Sequence, residues 1–442
     1  MFSLRNPIRL VPVLFAATIV LGTFLLSLPI AGKDGTGTPL LTALFTSTSA
    51  VAVTGLIVVD TATFWSPFGQ IVILLLFQIG GFGIMTAATL LGLLAGRGFG
   101  LGDRMATQVE RNRLDVGDAR SVLKLVFTIT LAVESIVAAI LTARLYLAYD
   151  HSLADAAWHS VFHSISAFNN AGFSSYSDSV MGFQTDWIML GPIMLAVILT
   201  ALGFPVMQDL RANGFKASRW TLHTKITVYA THVLLAAGFV AILVMEWNNP
   251  ETLGPMGIAG KTLNGAFHSV MPRTAGFNSL DVGAFRDETL LANYLLMFIG
   301  GGSAGTAGGI KITTFVVLLA IVLAEVLRRR DAALFGRRFG HNIERQALTV
   351  IVLALILIFA ATIFLSMTTQ LALEDIVFEV ISAFSTVGLS TGVTADLPPS
   401  GQLVIIALMF IGRVGTITVA TALALGGLPQ SYRYPEENPI VG

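Results

Sequence analysis

Eight long apolar stretches constrain the fold of this chain more than any other feature of its sequence. They fall near residues 8–31, 67–95, 122–149, 186–210, 222–246, 289–327, 346–369 and 402–426. Each is long enough to cross a hydrocarbon core of about 30 Å at roughly 1.5 Å per helical residue. Hydrophobic residues make up 54% of the 442 residues and charged residues 12%, a balance that soluble domains do not show. We therefore expect an all-α polytopic membrane protein with eight transmembrane helices in a lipid bilayer.

Charge and cysteine content exclude several functions. The formal net charge is zero, so no basic excess is available to neutralise nucleic-acid phosphates. The absence of cysteine excludes disulfides, thiolate catalysis and cysteine metal sites. Arg5 and Arg9 precede the apolar run from Leu10 to Ile30 as in a secretory signal, but that run is longer than a signal core and is interpreted as the first span.

The polar connections give the chain an orientation. Those near 96–121, 211–221 and 328–345 carry most of the Lys and Arg, whereas the connections between them are richer in Asp and Glu. Because basic loops stay in the cytoplasm, both termini are predicted to be cytoplasmic, in a multi-pass protein of the cell (inner) membrane. The acidic residues then face outward, where they either concentrate cations or are ordinary solvated loop residues.

Four segments repeat one pattern, in which an aromatic residue starts a helical stretch that ends in a glycine turn. They read FTSTSAVAVTGL from Phe45, FHSISAFNNAGF from Phe162, FHSVMPRTAGF from Phe267 and FEVISAFSTVGL from Phe378. The third copy is one residue shorter. Each lies between an outward and an inward span, which predicts four parallel repeats of helix, re-entrant pore loop and helix around one central pore. We place the repeats at 1–96, 97–212 with its leading cytoplasmic loop, 213–328 and 329–427, followed by a cytoplasmic tail at 428–442.

Four such turns around one axis suit the passage of a cation. The carboxyl end of each half-helix carries partial negative charge, and a ring of carbonyl oxygens replaces the hydration shell of an ion. Glycine lets the chain adopt conformations that aim successive carbonyls inward. The alternative is that each segment is a loop that returns to the surface and contains glycine only because it turns there. Four copies, each between an outward and an inward span, argue against this alternative.

The stretches AVTGL, NNAGF, PRTAGFN and STVGLST, with GGSAGTAGGIK and the late IGRVGT, resemble the Trk/Ktr/HKT superfamily of potassium transporters over essentially the whole chain. The length is closer to the Ktr-type membrane subunits than to the longer TrkH proteins. The resemblance implies a selectivity filter that binds K⁺ through backbone oxygens, and glycine at position 55 implies potassium preference over sodium. The implied filter residues are Ala52, Val53, Thr54, Gly55, Asn169, Asn170, Ala171, Gly172, Arg273, Thr274, Ala275, Gly276, Ser385, Thr386, Val387 and Gly388.

The resemblance also implies partners. Ktr-type pore subunits form a homodimer on a cytoplasmic ring of nucleotide-binding RCK subunits (KtrA-like), and this chain shows no nucleotide motif of its own. We expect those contacts at loops 97–120, 211–221 and 328–345 and at the carboxyl-terminal tail, although basic loops equally suit the anionic inner leaflet. K⁺ is the expected transported ion, with no organic cofactor. The sequence leaves open whether Na⁺ or nucleotide activates transport.

The sixth apolar stretch is too long for one helix and contains a run of glycine. This glycine loop (residues 300–311) holds Gly300, Gly301, Gly302, Ser303, Ala304, Gly305, Thr306, Ala307, Gly308, Gly309 and Lys311. At roughly 1 kcal/mol per glycine relative to alanine, it is predicted to be unwound. By the resemblance it is a mobile gate below the filter; the alternative is a kinked, tightly packed span.

Arg413 lies within the last apolar stretch, where exposure to lipid costs about 2.5–3.5 kcal/mol. We expect it beneath the filter, near the glycine loop, where its charge closes the resting pathway. The alternative is a buried ion pair with Glu134 or Glu325.

Competing functions are a sodium-permeable or TrkH-like cation transporter, a secondary transporter of small solutes, an intramembrane enzyme and an adaptor. Parallel repeats argue against the secondary transporter, which usually has inverted repeats. No HExxH motif and no credible nucleophile or paired-carboxylate set supports an enzyme. An adaptor role leaves the four turns unexplained. His159 and His163 have zinc-ligand spacing but lack a third ligand.

Overall fold

The computed structural model describes residues 7–95 and 119–415, and side chains at 11–83 and 124–415. The predicted loop at 97–120, nearly all of it, and the tail at 428–442 therefore lie outside the described residues. The described chain is mostly helical. Its α-helices are α1 Pro7–Ser27, α2 Leu40–Val51, α3 Thr61–Phe64, α4 Pro67–Ala95, α5 Ala119–Ala148, α6 Leu153–Asn169, α7 Trp187–Ala201, α8 Phe204–Asn213, α9 Leu222–Glu246, α10 Ile258–Val270, α11 Asp287–Phe298, α12 Ile312–Val326, α13 His341–Thr368, α14 Leu373–Ser385 and α15 Pro399–Phe410.

Three described segments are long and apolar enough to cross a membrane alone: Lys124–Ala148, Leu222–Glu246 and His341–Thr368. A fourth span arises if α7 and α8 are counted together. Further apolar helices in the described ranges are shorter. The predicted number of eight spans stays a prediction.

The apolar stretch at 186–210, predicted to span the membrane, is not one continuous helix. The chain bends by 93° between α7 and α8. Gly203, between them, has φ +88°, which other residues rarely adopt. Pro205 then stands in the first turn of α8, where its missing N–H costs nothing. Hydropathy measures only how apolar a stretch is, and it cannot register this Gly-Phe-Pro break.

The predicted interruption of the sixth stretch is present. Helix α11 ends at Phe298 and α12 begins at Ile312, with no helix between them. The Gly300 amide donates to the Ile310 carbonyl at 2.9 Å, and the Ile312 amide donates to the Gly301 carbonyl at 3.0 Å. These two bonds close the glycine loop at its base.

One small sheet departs from the all-α expectation. Strands β1 Ala333–Leu334 and β2 Arg337–Arg338 form an antiparallel hairpin within the basic connection near 328–345. The ring of Phe335 at the hairpin tip stacks on Tyr229 of α9, with centroids 5.6 Å apart. This is the only strand pair within the described ranges.

Four half-helices (α2, α6, α10 and α14) each end close to one of the predicted glycine turns. The repeated aromatic residue of each is completely buried: Phe45, Phe162, Phe267 and Phe378. Truncating a buried Phe typically costs about 3–5 kcal/mol. These rings therefore fix the half-helices, and with them the turns, inside the protein.

Candidate functional site

The glycine turns share one backbone conformation. In each, glycine and the residue two before it both have positive φ, with one ordinary residue between them. The pairs are Val53 (55°) and Gly55 (94°), Asn170 (59°) and Gly172 (70°), Thr274 (82°) and Gly276 (68°), and Thr386 (51°) and Gly388 (93°). We call the residues 53–55, 170–172, 274–276 and 386–388 the glycine turns. Positive φ costs little only at glycine, which explains the shared residue.

The four glycine turns contact one another in a closed ring. A Cβ placed on Gly55 would lie 2.5 Å from the carbonyl oxygen of Ala171 and 3.2 Å from Cα of Gly172. The next contacts run from Gly172 to Gly276, from Gly276 to Gly388 and from Gly388 back to Gly55, at 3.0, 3.0 and 3.1 Å from the Cα atoms. In each case the nearest atom is the carbonyl oxygen before the next glycine. The ring therefore has no room for a side chain at its glycines.

Three serines hold the turns in place, and the sequence reasoning missed them. In the first, second and fourth copies the amide before glycine donates to the carbonyl of Ser49, Ser166 and Ser382, at 2.8–2.9 Å. The hydroxyls of Ser49 and Ser382 also accept from the amides of Gly55 and Gly388 at 3.1 Å. These three copies share a Ser-Ala pair whose serine lies six residues before the ring glycine. This repeated pair could have identified the three serines from the sequence. In the shorter third copy the Ala275 amide instead donates to the carbonyl of Met271 at 3.1 Å.

The first residue of each predicted filter stretch lies at the end of a half-helix. Asn169 and Ser385 are the last residues of α6 and α14, and Ala52 caps α2. Arg273 follows α10, and its buried guanidinium donates to the carbonyls of Thr231 and Gly300 at 3.4 Å. The structure thus brings the last three residues of each stretch into the turns, while the Arg273 side chain contacts the glycine loop.

The residues that follow the glycines line one cavity of about 360 Å³. All four ring glycines reach its wall, so it opens onto the ring. Three carboxylates, Asp60, Asp178 and Asp281, also line it, and no Lys or Arg is among its described lining residues. Such a cavity attracts cations.

Asp60 is held in its ionised form. Burial raises the pKa of this carboxyl, but hydrogen bonds from Ser177, Thr63 and the Ala62 amide outweigh that effect and lower the pKa below its ordinary value of 3.8. The hydroxyls of Ser177 and Thr63 each donate at 2.6 Å. A negative charge therefore persists at this wall of the cavity at neutral pH.

The glycine loop packs against the fourth turn and against the break between α7 and α8. A Cβ on Gly309 would lie 3.2 Å from Cα and Cβ of Ser385, and one on Gly308 would collide with the hydroxyl of Thr386. The Gly302 amide donates to the Ala201 carbonyl at 2.6 Å. The loop therefore contacts residues that precede a ring glycine, whereas the cavity is lined by residues that follow one.

The other predicted gate residues also contact the break between α7 and α8, the start of α12 or the loop itself. The hydroxyls of Ser303 and Thr313 are 3.1 Å apart, and the Ala304 carbonyl accepts from the Phe204 amide at 3.3 Å. A Cβ on Gly305 would lie 2.7 Å from the Thr200 carbonyl oxygen. The Lys311 ammonium donates to the Ala307 carbonyl at 2.5 Å.

Arg413 lies in a π-helical turn, Ile411–Gly415, that follows α15. It is 2% exposed, and its Nη1 donates to the Thr306 carbonyl within the glycine loop. No carboxylate of the described residues forms a salt bridge with it. Glu134 instead accepts from the Gln78 amide at 3.0 Å, and Glu325 is exposed. The alternative of a buried ion pair is therefore not observed.

Comparison with known proteins places these features in a family. The family model described as TrkH, a cation transport protein, matches residues 4–431. The chain is 40% identical to Ktr system potassium uptake protein B of Bacillus subtilis, covering 99% of this chain and 97% of that protein. It is 36% identical to the potassium/sodium uptake protein NtpJ of Enterococcus hirae, over 99% and 97% of the two chains.

A solved structure agrees in fold. The potassium transporter TrkH from Vibrio parahaemolyticus matches with a TM-score of 0.74 over 97% of this chain and 86% of that chain, at 18% identity. At that identity the likeness concerns the fold. The family model and the full-length relatives carry the assignment: this chain belongs to the TrkH family of cation transport proteins, multi-pass membrane proteins that are transporters and not enzymes.

Proposed function

We propose that this protein takes up potassium across the cell membrane as the ion-translocating subunit of a Ktr-type system. The observation that carries the proposal is the closed ring of four glycine turns at the floor of an acidic cavity. The name of the Bacillus subtilis relative, a potassium uptake protein, supports the same ion.

The ring is the proposed selectivity filter. The carbonyl oxygens nearest to the neighbouring glycines belong to Thr54, Ala171, Ala275 and Val387. Four such dipoles, with the negative ends of four half-helices behind them, replace the water that a potassium ion loses. The filter residues predicted from sequence are proposed to act through these backbone atoms, with no ligating side chain.

Glycine at the first turn favours potassium over the sodium-permeable alternative. Gly55 meets the second turn without a side chain between them, as the other three glycines meet their neighbours. The resemblance to the wider superfamily links serine at this position to sodium permeation. The relative named for potassium and sodium uptake is less similar than the Bacillus subtilis protein, so it does not favour the alternative.

The glycine loop is the proposed gate. It is a non-helical segment that touches the fourth turn, and three cationic side chains donate to its carbonyls: Arg273, Lys311 and Arg413. A fixed positive charge close to the ion path raises the barrier for a cation. Movement of the loop together with Arg413 would remove that barrier.

The remaining architecture follows from this proposal. Four parallel repeats, at 1–96, 97–212, 213–328 and 329–427, surround the pore with eight spans, and both termini are cytoplasmic. Two copies form the working unit. Because the chain shows no nucleotide motif, a cytoplasmic nucleotide-binding RCK ring regulates the gate, with Na⁺ as a further candidate activator.

Growth rescue of a potassium-uptake-deficient bacterium at limiting potassium tests the proposal. The wild type should restore growth, whereas Gly55→Ser and Gly276→Ser should not, because a Cβ at either position meets the backbone of the next turn. Gly191→Ser is the matched control, since a Cβ there meets nothing within 4 Å. Equal rescue by all four proteins would contradict the filter assignment.

A further inference from the structure

The residue after the repeated phenylalanine of each half-helix occupies equivalent positions in the four repeats. These residues are Thr46, His163, His268 and Glu379. All four are buried, with 3% exposure or less. Three of them carry acceptor atoms of imidazole or carboxylate type, which are costly to bury without a partner. Of these four residues, only His163 lies in a pattern with a sequence-level interpretation, the zinc-ligand spacing with His159.

In the second repeat His163 contacts the chain that leaves the glycine turn. Its Nδ1 lies 2.7 Å from the His159 carbonyl, which can only accept, so Nε2 of the neutral ring is an acceptor. Nε2 lies 3.0 Å from the hydroxyl of Ser174, two residues after the ring glycine. The Ser179 carbonyl, 2.9 Å from the Ser174 hydroxyl, competes with this nitrogen for the single hydroxyl proton.

The third and fourth repeats repeat this arrangement with different chemistry. The Leu280 amide, four residues after Gly276, donates to Nε2 of His268 at 3.2 Å. Glu379 accepts from the hydroxyl of Ser390, two residues after its glycine, and from the hydroxyl of Thr394 at 2.9 Å. In all three repeats an acceptor on the half-helix therefore binds a donor on the outgoing chain.

The first repeat lacks the bond. The Thr46 hydroxyl is buried and has no hydrogen-bond partner among the described residues. Its outgoing chain, from Leu56, is apolar where the second and fourth chains carry serine. Thr46 is therefore an internal control: it is a buried polar residue at the equivalent position whose side chain forms no hydrogen bond to the outgoing chain.

We propose that His163, His268 and Glu379 are positioning residues for the selectivity filter. Each ties the chain that follows a glycine turn to the half-helix that precedes it, so that the turn is held at both ends. The turns lie between these two anchors, and Ser174, Ser390 and Thr394 also line the acidic cavity. Holding both ends keeps the ring carbonyls at the spacing that accepts K⁺ and is too wide for Na⁺. This inference rests on the proposed function, since it concerns how that filter discriminates between ions.

The test compares K⁺ and Na⁺ affinities of the purified full-length protein by calorimetry, with 86Rb⁺ uptake into proteoliposomes as a second readout. His163→Phe, His268→Phe and Glu379→Leu remove an acceptor and keep an apolar body. Each should lower the ratio of K⁺ to Na⁺ affinity roughly fivefold, the effect of losing about one buried hydrogen bond. Glu379→Gln keeps one acceptor oxygen and should therefore lower the ratio of K⁺ to Na⁺ affinity less than Glu379→Leu does.

Thr46→Val is the control and should keep the wild-type affinity ratio. If the three acceptor variants also keep that ratio, the positioning role is wrong, because a residue that only stabilises the fold changes thermal stability and not ion discrimination. A wild-type protein without potassium preference would instead contradict the proposed function. Should an acceptor variant fail to fold, Ser174→Ala and Ser390→Ala remove the donors of the same bonds, and an unchanged ratio in them also contradicts the inference.

Discussion

Arg413 donates a hydrogen bond from its guanidinium to the carbonyl oxygen of Thr306, at the middle of the glycine loop. The bond joins the turn after the last described helix to the segment that breaks the sixth apolar stretch. Two further guanidinium nitrogens, Nε and Nη2, lack partners within the described ranges. An incompletely satisfied buried cation is costly, so this contact fits a closed state that the protein would leave when the proposed gate opens.

Replacing Arg413 should open the pathway. Arg413→Met keeps the length of the side chain and removes its charge and donors, so potassium uptake without activation should rise about fivefold or more as the electrostatic barrier disappears. Uptake of 86Rb⁺ into proteoliposomes measures this. Arg144→Met is the control, because Arg144 pairs with Asp186 at 2.7 Å, far from the loop in sequence. Unchanged rate and regulation in Arg413→Met would refute the gating role.

The break between α7 and α8 should matter for the loop. Gly203 has φ +88°, and a Cβ there would collide with the Ser303 carbonyl oxygen. Gly203→Ala should therefore lower the thermal midpoint and alter uptake, through about 1–3 kcal/mol of backbone strain plus the displaced loop. Gly214→Ala is matched, since Gly214 also has positive φ but open space around it. Equal effects of the two substitutions on midpoint and uptake would show that the contact with Ser303 is unimportant.

Serine hydroxyls that bind the ring glycines should contribute to stability and selectivity together. Ser382→Ala removes the acceptor for the Gly388 amide and should lower the free energy of unfolding by about 1 kcal/mol while increasing inhibition of rubidium uptake by sodium. Ser160→Ala is a control within another half-helix, because that buried hydroxyl has no partner. If both substitutions have the same small effect, the serine does not fix the turn.

Asp60 should raise the potassium concentration at the mouth of the ring. Its pKa lies below 3.8, so the carboxylate is ionised between pH 8 and about pH 5 and its effect is lost only as pH falls through the lowered pKa. Asp60→Asn should raise the apparent KM for potassium about twofold at low ionic strength, and the difference should shrink as salt screens the charge. A KM shift that does not depend on salt would contradict an electrostatic role.

Two kinds of structural feature could be predicted from the sequence: the half-helices that repeat along the chain, and the glycine run that interrupts an apolar stretch. Four half-helices contain Phe45, Phe162, Phe267 and Phe378, although each begins before its aromatic residue and not at it as expected. The interrupted sixth stretch was visible in its glycine run. These features depend on local composition, so single-sequence reasoning reaches them. The glycines of the ring were identified for the same reason, although their mutual contacts required the fold.

The parts that were missed depend on residues far apart in the chain. The bend at Gly203 was overlooked because an apolar stretch can hold two helices as easily as one. The Ser-Ala pairs of the half-helices and the residue after each Phe were in view, but which atoms they bind depends on where the chain returns after the turn. The placement of Arg273 against the Gly300 carbonyl likewise follows from packing within the third predicted repeat.

The four glycine turns are proposed to form one site for a dehydrated potassium ion. A crystal structure of the full-length protein in thallium, a heavy potassium mimic, tests it most directly through anomalous scattering. We expect an anomalous peak on the axis of the ring that sodium does not displace. It should lie within ligand distance of four carbonyl oxygens, those of Thr54, Ala171, Ala275 and Val387. Thallium bound elsewhere with no peak inside the ring would contradict it.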